Sequence, residues 1–389
     1  MIYVKYMPGH SLAFASRNKR ELQAAQEAGY TIKVVSSDEE SEFEKNFPGY
    51  ELVKDRMIKL NYGMSRIRRY MLILYNILAS MKAIRKTSGD VISCHNIDAL
   101  CKCYLTLFFK AKKPSLIYDS HEFEIGRNKK RNRFQLWFIT HMEGFLMKRC
   151  VFSIMVNDAI ADEVQRIHKL EERPIVVRST PTLWKIDAEV CSQKRKEMLS
   201  GMKEPKDFLM MYHGGVMSGR GIETLLELVS KNSNVCAVIL GNGEEKYQKS
   251  LRMLADNLGI TERVVFLPAV PIEELWKYAG AADVGMILAP AVVKNHLYSL
   301  PNKFFENIQS ETPVICPEYP AMKPIVDRYQ IGLTCDPTNI ESINSCVERL
   351  RTDKTFYQKC VENTRKAKQE LCWEKEKKVL LESLENVYD

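Results

Sequence analysis

The sequence lacks the short signatures of the commonest nucleotide-binding folds. No GxGxxG turn follows a predicted strand, and no GxxxxGK[ST] loop occurs anywhere in the 389 residues. These absences argue against a dinucleotide-dependent dehydrogenase and against a P-loop ATPase, because both classes bind phosphate through those loops. The sequence also contains no internal repeat of fixed short period and no low-complexity tract.

Cysteine pairs and long apolar runs are also missing. The eleven cysteines include no CxxC pair, which predicts reduced thiols packed as small apolar side chains in a cytosolic protein. The longest apolar run, residues 70–81, is shorter than the roughly 20 residues that cross a bilayer, so it predicts a buried or an interfacial helix. A predicted strand starts at Ile2, so we expect no signal peptide and a cytoplasmic location.

Charge is distributed unevenly along the chain. Residues 1–185 hold 31 of the 57 basic and 20 of the 49 acidic residues, so this half carries +11 and the rest carries −3. The basic residues cluster at 17–20, 66–69 and 127–133. Three interpretations stay open: solvated helix faces, a nucleic-acid surface, or a surface for anionic lipid or a phosphorylated acceptor. No nucleic-acid-binding motif accompanies the clusters, so no nucleic-acid partner is predicted.

Short apolar runs alternate with helical patterns through most of the chain, as in parallel α/β proteins. A polar, charged segment at residues 182–206 indicates a connection between two domains. We predict an N-terminal Rossmann-like domain at residues 1–185 and a C-terminal Rossmann-like domain at 186–372. A final amphipathic helix at residues 373–389 is expected to cross back to the N-terminal domain.

Residues 299–306, Ser-Leu-Pro-Asn-Lys-Phe-Phe-Glu, predict a loop that leads into a helix. Asn302 is the expected N-cap, and the free amides and positive dipole of the first turn attract phosphate oxygens. Lys303 adds a cation, and the carboxylate of Glu306 suits the paired hydroxyls of a ribose. The segment therefore favours a nucleoside diphosphate, with an ordinary capped helix as the alternative.

Two glycine-rich loops follow predicted strands in the same half. In the first, Gly214 and Gly215 let a ligand approach the backbone, and Arg220 can bind a phosphate as a bidentate cation. In the second, Gly241 and Asn242 are candidates to line a nucleoside. Loops at the carboxyl ends of parallel strands share one edge of the sheet, so we expect both loops and residues 299–306 to converge.

The order of these segments resembles one family. Residues 212–226 (YHGGVMSGRGIETLL), 238–245 (VILGNGEE), 264–288 and 299–316 resemble the nucleotide-binding domain of the retaining glycosyltransferases of family 4. The LPNK motif at residues 300–303 is similar to that of bacterial surface-polysaccharide enzymes. The resemblance is strongest over residues 209–336, and LIYDSHEFE at 116–124 resembles a strand of the family's N-terminal domain.

The resemblance implies an α/β protein of the GT-B fold, with two Rossmann-like domains facing across a cleft. It implies that residues near Val270 bracket the base, that Glu306 binds the ribose, and that Arg220 and Lys303 bind the diphosphate. His121 falls where the family places a sugar-binding histidine, and we hypothesise that His121 and Glu122 contact the sugar or the acceptor. The donor site is completed by four residues at the start of the predicted helix: Tyr298, Ser299, Leu300 and Asn302.

The sequence departs from the family pattern at two positions. The family usually has a sugar-contacting glutamate eight residues before the ribose-binding one, but here that position is Tyr298. An arginine often follows the first glycine of the first loop, and here Gly215 stands there.

The implied reaction moves a sugar from a nucleoside-diphosphate sugar to a glycan hydroxyl with retention of configuration. We expect His121, Glu122, Arg220, Lys303 and Glu306 to support it, with a UDP-sugar favoured over a GDP-sugar as donor. No cofactor or metal is expected, and the sequence contains no Asp-x-Asp motif. The expected acceptor is lipid-linked, with possible peripheral contact at an anionic inner membrane face, and the oligomeric state stays open.

Two alternatives remain. One is a nucleotide-sugar epimerase of the same architecture, and the other is a nonenzymatic nucleotide-sugar-binding protein, which Tyr298 makes conceivable.

Overall fold

The chain forms two α/β units. The computed structural model describes residues 1–389 except 8–15, 59–62, 109, 111, 128–130 and 388–389. One unit comprises Met1–Arg178 together with Glu376–Asp389, and the other comprises Ser179–Lys375. Residues 179–185 therefore belong to the second unit. The backbone of Trp184 explains this, because its N–H donates to Gln309 and its carbonyl accepts from Lys368.

The first unit contains one parallel sheet, with seven strands among the described residues. Its strands are β1 (Ile2–Met7), β2 (Thr31–Ser36), β3 (Glu51–Lys54), β4 (Val91–Cys94), β5 (Ser115–Ser120), β6 (Phe152–Met155) and β7 (Ile175–Val176). They lie in the order β3-β2-β1-β4-β5-β6-β7. The short apolar runs of the sequence become strands here because parallel strands are buried on both faces.

Helices connect these strands. They are α1 (Ser16–Glu27), α2 (Glu40–Asn46), α3 (Arg66–Lys86), α4 (Ile97–Leu107), α5 (Arg133–Met147) and α6 (Asp158–His168). Asparagine side chains begin three of the helices, where Asn96, Asn132 and Asn157 each accept a first-turn backbone N–H. None of the described helices combines the length and apolarity needed to cross a membrane.

The second unit contains a parallel sheet of six strands within its described residues, ordered β10-β9-β8-β11-β12-β13. The strands are β8 (Phe208–His213), β9 (Val235–Leu240), β10 (Val264–Leu267), β11 (Val284–Met286), β12 (Val314–Pro317) and β13 (Gly332–Cys335). Every residue of β8 and β9 is buried, as expected for a central parallel pair.

The remaining helices surround this sheet, except for the last one. They are α7 (Ala188–Ser200), α8 (Ile222–Lys231), α9 (Glu245–Asn257), α10 (Ile272–Ala279), α11 (Lys294–Leu297), α12 (Asn302–Gln309), α13 (Lys323–Tyr329), α14 (Ile340–Thr352), α15 (Lys354–Glu370) and α16 (Trp373–Glu385). Helix α7 lies inside the polar segment interpreted as a connection. The part of α16 from Glu376 onward belongs to the first unit, where Tyr30 donates to the carbonyl of Leu384.

Candidate functional site

The strand order of the second unit points to one edge of its sheet. The chain runs from β8 through β9 to β10 and then returns to the other side of β8 as β11. Ligands of open parallel sheets bind at such a reversal, outside the carboxyl ends of the strands. The loop after β8 and the segment that connects β11 to α12 both start at this reversal. These are two of the three segments predicted to bind the donor.

Glycines allow the two loops to pack closely. Gly221 has a φ of 77°, and a Cβ there would collide with the carbonyl oxygen of Leu288. A Cβ at Gly241 would likewise collide with the carbonyl oxygen of Gly214. Backbone therefore lies against backbone, which only residues without a side chain permit. The packing of the loops is itself a sufficient reason for these glycines.

Asn242 holds the neighbouring segment in place. Its backbone oxygen accepts from the N–H of Val216 at 2.9 Å, and its side-chain oxygen accepts from the N–H of Ala269 at 3.0 Å. Val270, which follows Ala269, is half-buried against the apolar cluster under the sheet. Asn242 thus fixes the backbone predicted to bracket the base. Gly215 is exposed, and its carbonyl accepts from the Tyr212 hydroxyl at 2.7 Å.

Lys303 lies at the centre of the candidate donor site. Its ammonium group is 3.6 Å from the ring centroid of Tyr212 and lies next to Gly214. Among the described residues it forms no ion pair. Burial and the nearby Arg220 lower the pKa of Lys303 to about 7, against the opposing effect of Glu306. A nearby anion would raise the pKa of Lys303 again, because an opposite charge favours the protonated amine.

Arg220 is the second cation of the site. It is exposed at the end of the first loop, and its charge acts on both Lys303 and Tyr212. Neither cation has a carboxylate partner within ion-pair distance among the described residues. Two like charges that have no ion-pair partner favour the binding of an anion such as a diphosphate.

Glu306 pairs with a histidine of the first loop. His213 Nε2 lies 2.9 Å from Glu306 Oε2, so a neutral His213 donates its Nε2–H to the carboxylate. His213 is buried, and its Nδ1 has no partner among the described residues. The contact fixes one oxygen of Glu306 and leaves the other available for a hydroxyl group. His213 therefore orients the residue predicted to bind the ribose.

The start of α12 differs from the prediction in one respect. Asn302 is not the N-cap: it is the first helical residue and is exposed, and the N-cap position is occupied by Pro301. Pro301 takes this position because its extended ψ of 149° precedes the helical turn, and its carbonyl accepts from Phe304 N–H. Within the described part of the chain, no side chain caps the first-turn amides. These amides are therefore open to an anion, as the predicted binding of phosphate oxygens at this helix start requires.

The residues before α12 form a short connecting segment. Ser299 donates from its hydroxyl to the carbonyl of His296 at 2.8 Å. Leu300 packs against the apolar cluster of α12. Tyr298 ends α11, with the Lys294 ammonium 5.9 Å from its ring centroid. Its half-buried phenol supplies no carboxylate where the family has one.

In the first unit, His121 follows β5. Its Nε2 is 3.0 Å from Asp119 Oδ2, and its ring lies edge-on to His95 with centroids 4.0 Å apart. Burial lowers the pKa of His121, although Asp119 opposes the shift. The ring is therefore neutral near pH 7 and donates Nε2–H to Asp119. The neighbouring Glu122 forms an ion pair of 2.6 Å with Arg127.

Asp119 belongs to a buried group of four charges, with Lys5, Arg17 and Glu21. Arg17 bonds Asp119 at 3.0 Å and Glu21 at 2.6 Å, and Lys5 bonds Glu21 at 2.8 Å and also contacts Asp119. Burial alone would raise the pKa of Asp119, but Lys5, His121 and Arg17 hold it well below its usual range. Arg17, counted in the basic cluster at residues 17–20, fits none of the three surface interpretations, because it is buried and pairs with two buried carboxylates.

His95, Asp119 and His121 are the described residues able to group around a metal ion, with ligand atoms within 4.8 Å of one another. A metal ion there would meet Lys5 and Arg17, which already neutralise Asp119. The charge balance of the site therefore fits a metal poorly.

Comparison with known proteins agrees with this geometry. Residues 194–367 match the family described as "Glycosyl transferases group 1". This segment is therefore similar to the group 1 glycosyltransferases. It is 25% identical over 288 residues to an uncharacterized glycosyltransferase, MJ1607, of Methanocaldococcus jannaschii, which covers 71% of this chain and 70% of that protein.

Two solved structures show the fold of the whole chain. Anabaena Alr3699/HepE in complex with UDP has a TM-score of 0.75 and 14% identity, with both chains fully covered. WaaG, a glycosyltransferase involved in lipopolysaccharide biosynthesis, has a TM-score of 0.64 and 15% identity, covering 97% of this chain and 99% of that one. The expected two-domain α/β GT-B fold is confirmed.

The segment that matches this family includes both glycine loops and α12, whereas His121 and Glu122 lie outside it. Sequence inspection missed His213 as the partner of Glu306, because the pair joins residues 93 positions apart. It also missed the buried charges of the first unit. A signal was present, since Lys5 and Asp119 each interrupt an otherwise apolar strand.

Proposed function

We propose that this chain is a retaining glycosyltransferase that moves a sugar from a UDP-sugar to a hydroxyl of a lipid-linked glycan. The observation that carries the proposal is the pair of basic residues, Lys303 and Arg220, which have no ion-pair partner among the described residues and lie beside the start of α12. A diphosphate supplies the negative charge that this arrangement lacks. The group 1 glycosyltransferase domain supports the same conclusion.

Each residue then has a distinct role. Lys303, Arg220 and the first amides of α12 bind the diphosphate and stabilise the negative charge that develops as it leaves. Glu306, oriented by His213, accepts hydrogen bonds from the ribose. His121 and Glu122 bind the sugar or the acceptor. The acceptor hydroxyl then attacks the anomeric carbon on the face from which the nucleotide departs, which gives retention.

The preference for UDP is supported by a structural neighbour solved with UDP. A lipid-linked acceptor in surface-polysaccharide synthesis is supported by two neighbours whose names refer to lipopolysaccharide. We place the protein as a peripheral protein at the inner face of the plasma membrane, where such an acceptor is accessible. Family 4 is the subfamily that the LPNK motif at residues 300–303 favours.

A nonenzymatic nucleotide-sugar-binding protein is the second candidate. Tyr298 favours it, because a phenol replaces the sugar-contacting carboxylate of the family. An epimerase is also distinguishable by experiment. A transferase releases UDP far faster with acceptor than without it. An epimerase converts the donor into its epimeric nucleotide-sugar without acceptor and without net release of UDP, and a binding protein does neither.

The test combines binding with turnover. Thermal-shift screening against uridine, guanosine and adenosine diphosphate sugars identifies the donor, because a bound ligand raises the apparent stability. Radiolabelled donor is then incubated with native membranes, and label in the lipid fraction reports transfer. Lys303→Ala should abolish both the UDP-induced shift and the transfer. Lys323→Ala, which removes a lysine paired with Asp327 on α13, is the matched control and should change neither.

A further inference from the structure

Helix α3 exposes a row of large apolar side chains. Ile67, Tyr70, Met71, Leu74 and Leu78 are all exposed, with exposed fractions of 79% for Ile67 and 71% for Tyr70. Their spacing of three or four residues places them along one side of the helix. A helix at the surface of a soluble protein normally turns this side toward the core.

The buried side of α3 is mixed, with Asn76 and Ser80 beside Ala83 and Ile84. Asn76 is buried and bonds both backbone groups of Ile58 at 2.9 Å. Ser80 is buried and donates to Asp55 at 2.9 Å. These polar contacts help to fix which side of α3 faces the interior, so the apolar residues on its other side stay exposed. The exposure is therefore built into the packing of α3.

Helix α5 also exposes large apolar side chains. Phe134, Trp137 and Phe138 are exposed, at 71% for Phe134 and 55% for Trp137. Its buried side includes Glu143, which accepts from the Tyr118 hydroxyl at 2.8 Å. Helix α4 packs against both α3 and α5 and adds two more exposed apolar side chains. We name as the apolar face the exposed residues Ile67, Tyr70, Met71, Ile73, Leu74, Tyr75, Leu78, Leu105, Phe108, Phe134, Leu136, Trp137, Phe138 and Phe145.

The charge around the apolar face has one sign. Residues 56–89 contain eight lysines and arginines and no acidic residue, and residues 125–142 contain five and none. Among them, Arg66, Arg68, Arg69 and Arg133 are exposed. Exposed aromatic and aliphatic side chains that are bordered in these two stretches only by positive charge complement the headgroups and outer acyl region of an anionic bilayer.

The apolar face adjoins the loop that carries His121. In a parallel α/β unit every connecting helix begins at the carboxyl edge of the sheet, so α3 and α5 both start at the edge where β5 ends. Arg127 links the two regions through ion pairs of 2.6 Å to Glu122 and 3.1 Å to Glu124. Arg131, one residue before the cap of α5, also pairs with Glu124. The loop after His121 is therefore tied to the start of an apolar-face helix.

We propose that the apolar face inserts into the outer layer of an anionic membrane and holds the His121 edge of the first unit at the lipid surface. The functional reason for docking rests on the proposed function, because a lipid-linked glycan acceptor is presented at the membrane surface. Insertion itself requires no activity. Docking would then supply the acceptor side of the reaction from the bilayer and fix the loop of Glu122 and Glu124 relative to it.

The experiment uses the full chain and vesicles of equal parts phosphatidylglycerol and phosphatidylcholine. The wild-type protein should float with these vesicles and not with phosphatidylcholine alone, and part of the binding should survive high salt because it is apolar. Leu74→Gln and Trp137→Gln should each weaken partitioning at least about tenfold, the change produced by ~1.4 kcal/mol. Met253→Gln, at an exposed apolar position in the second unit, is the matched control and should bind like the wild type.

Two further measurements separate the explanations. Brominated lipids should quench the fluorescence of the wild type and quench Trp137→Phe much less, which reports insertion of that side chain. The UDP-induced thermal shift should be the same in all variants, so its loss would count against folding or donor binding and not against docking. The membrane proposal fails if the wild-type protein does not bind anionic vesicles. It also fails if the wild type forms a soluble dimer that Leu74→Gln dissociates, because the apolar face would then bind protein.

Discussion

The pKa of Lys303 makes UDP affinity depend on pH in a defined direction. In the free protein, burial and Arg220 lower this pKa to about 7, and a bound diphosphate should return it toward the usual 10.4. Affinity is then full below about pH 7 and falls about tenfold for each pH unit above it. At pH 9 the loss is about 100-fold, or about 2.7 kcal/mol at 1.36 kcal/mol per unit.

Isothermal titration calorimetry with UDP from pH 7 to 9 measures this slope. The same titrations in buffers of different ionisation enthalpy should show uptake of nearly one proton per UDP bound at pH 8, since about nine tenths of Lys303 is neutral there. Lys303→Arg is the matched variant, because its guanidinium stays protonated throughout. It should bind UDP with little pH dependence over this range.

The reasoning would be refuted by either of two results. One is a wild-type affinity that stays flat between pH 7 and 9 without proton uptake. The other is a Lys303→Arg variant with the same slope as the wild type, because the titrating group would then lie elsewhere.

Three further predictions concern other parts of the chain. Glu306→Gln should weaken UDP binding about 10- to 100-fold through loss of a charged ribose contact, and should leave the affinity for 2′,3′-dideoxy-UDP unchanged. Gly221→Ala should lower stability to denaturant by more than about 2 kcal/mol because of its left-handed backbone and close packing, whereas Gly259→Ala, with open space around it, should lose only about 1 kcal/mol. Asp119→Asn should lower the free energy of unfolding, measured in urea, by about 3–5 kcal/mol. Because the folded pKa of Asp119 is lowered, its contribution is present above the usual carboxyl range and disappears as pH falls through the folded pKa, a dependence that the variant should lack.

The sheets were largely predictable, because central parallel strands are continuous apolar runs. The strands Val91–Cys94, Val235–Leu240 and Val264–Leu267 end where the sequence indicates. The edge strands β3 and β13 were missed, since an edge strand such as Glu51–Lys54 includes charged residues and has no distinct pattern. Helix α7 was missed because its polar sequence resembles a linker.

The candidate site was predictable where its chemistry is local. Lys303 and Glu306 share one helix turn, so their residue types and spacing already favoured a nucleotide. The partner of Glu306 and the ion pairs of Asp119 depend on contacts across up to 114 residues, and local patterns contain no information about such contacts. The exposure of α3 was also undecided by sequence, because the same apolar run fits a buried helix.

The four buried charges of the first unit, Lys5, Arg17, Glu21 and Asp119, restrict which substitutions this protein can tolerate. Lys5 lies on β1 and Asp119 on β5, two strands apart, and any single replacement leaves a charge in the protein interior without its counterpart. Replacing all four together with apolar side chains of similar volume would avoid the free-energy cost of burying a charge without its partner. Homologues are therefore expected to hold either the complete quartet or an entirely uncharged set, with mixed combinations strongly depleted.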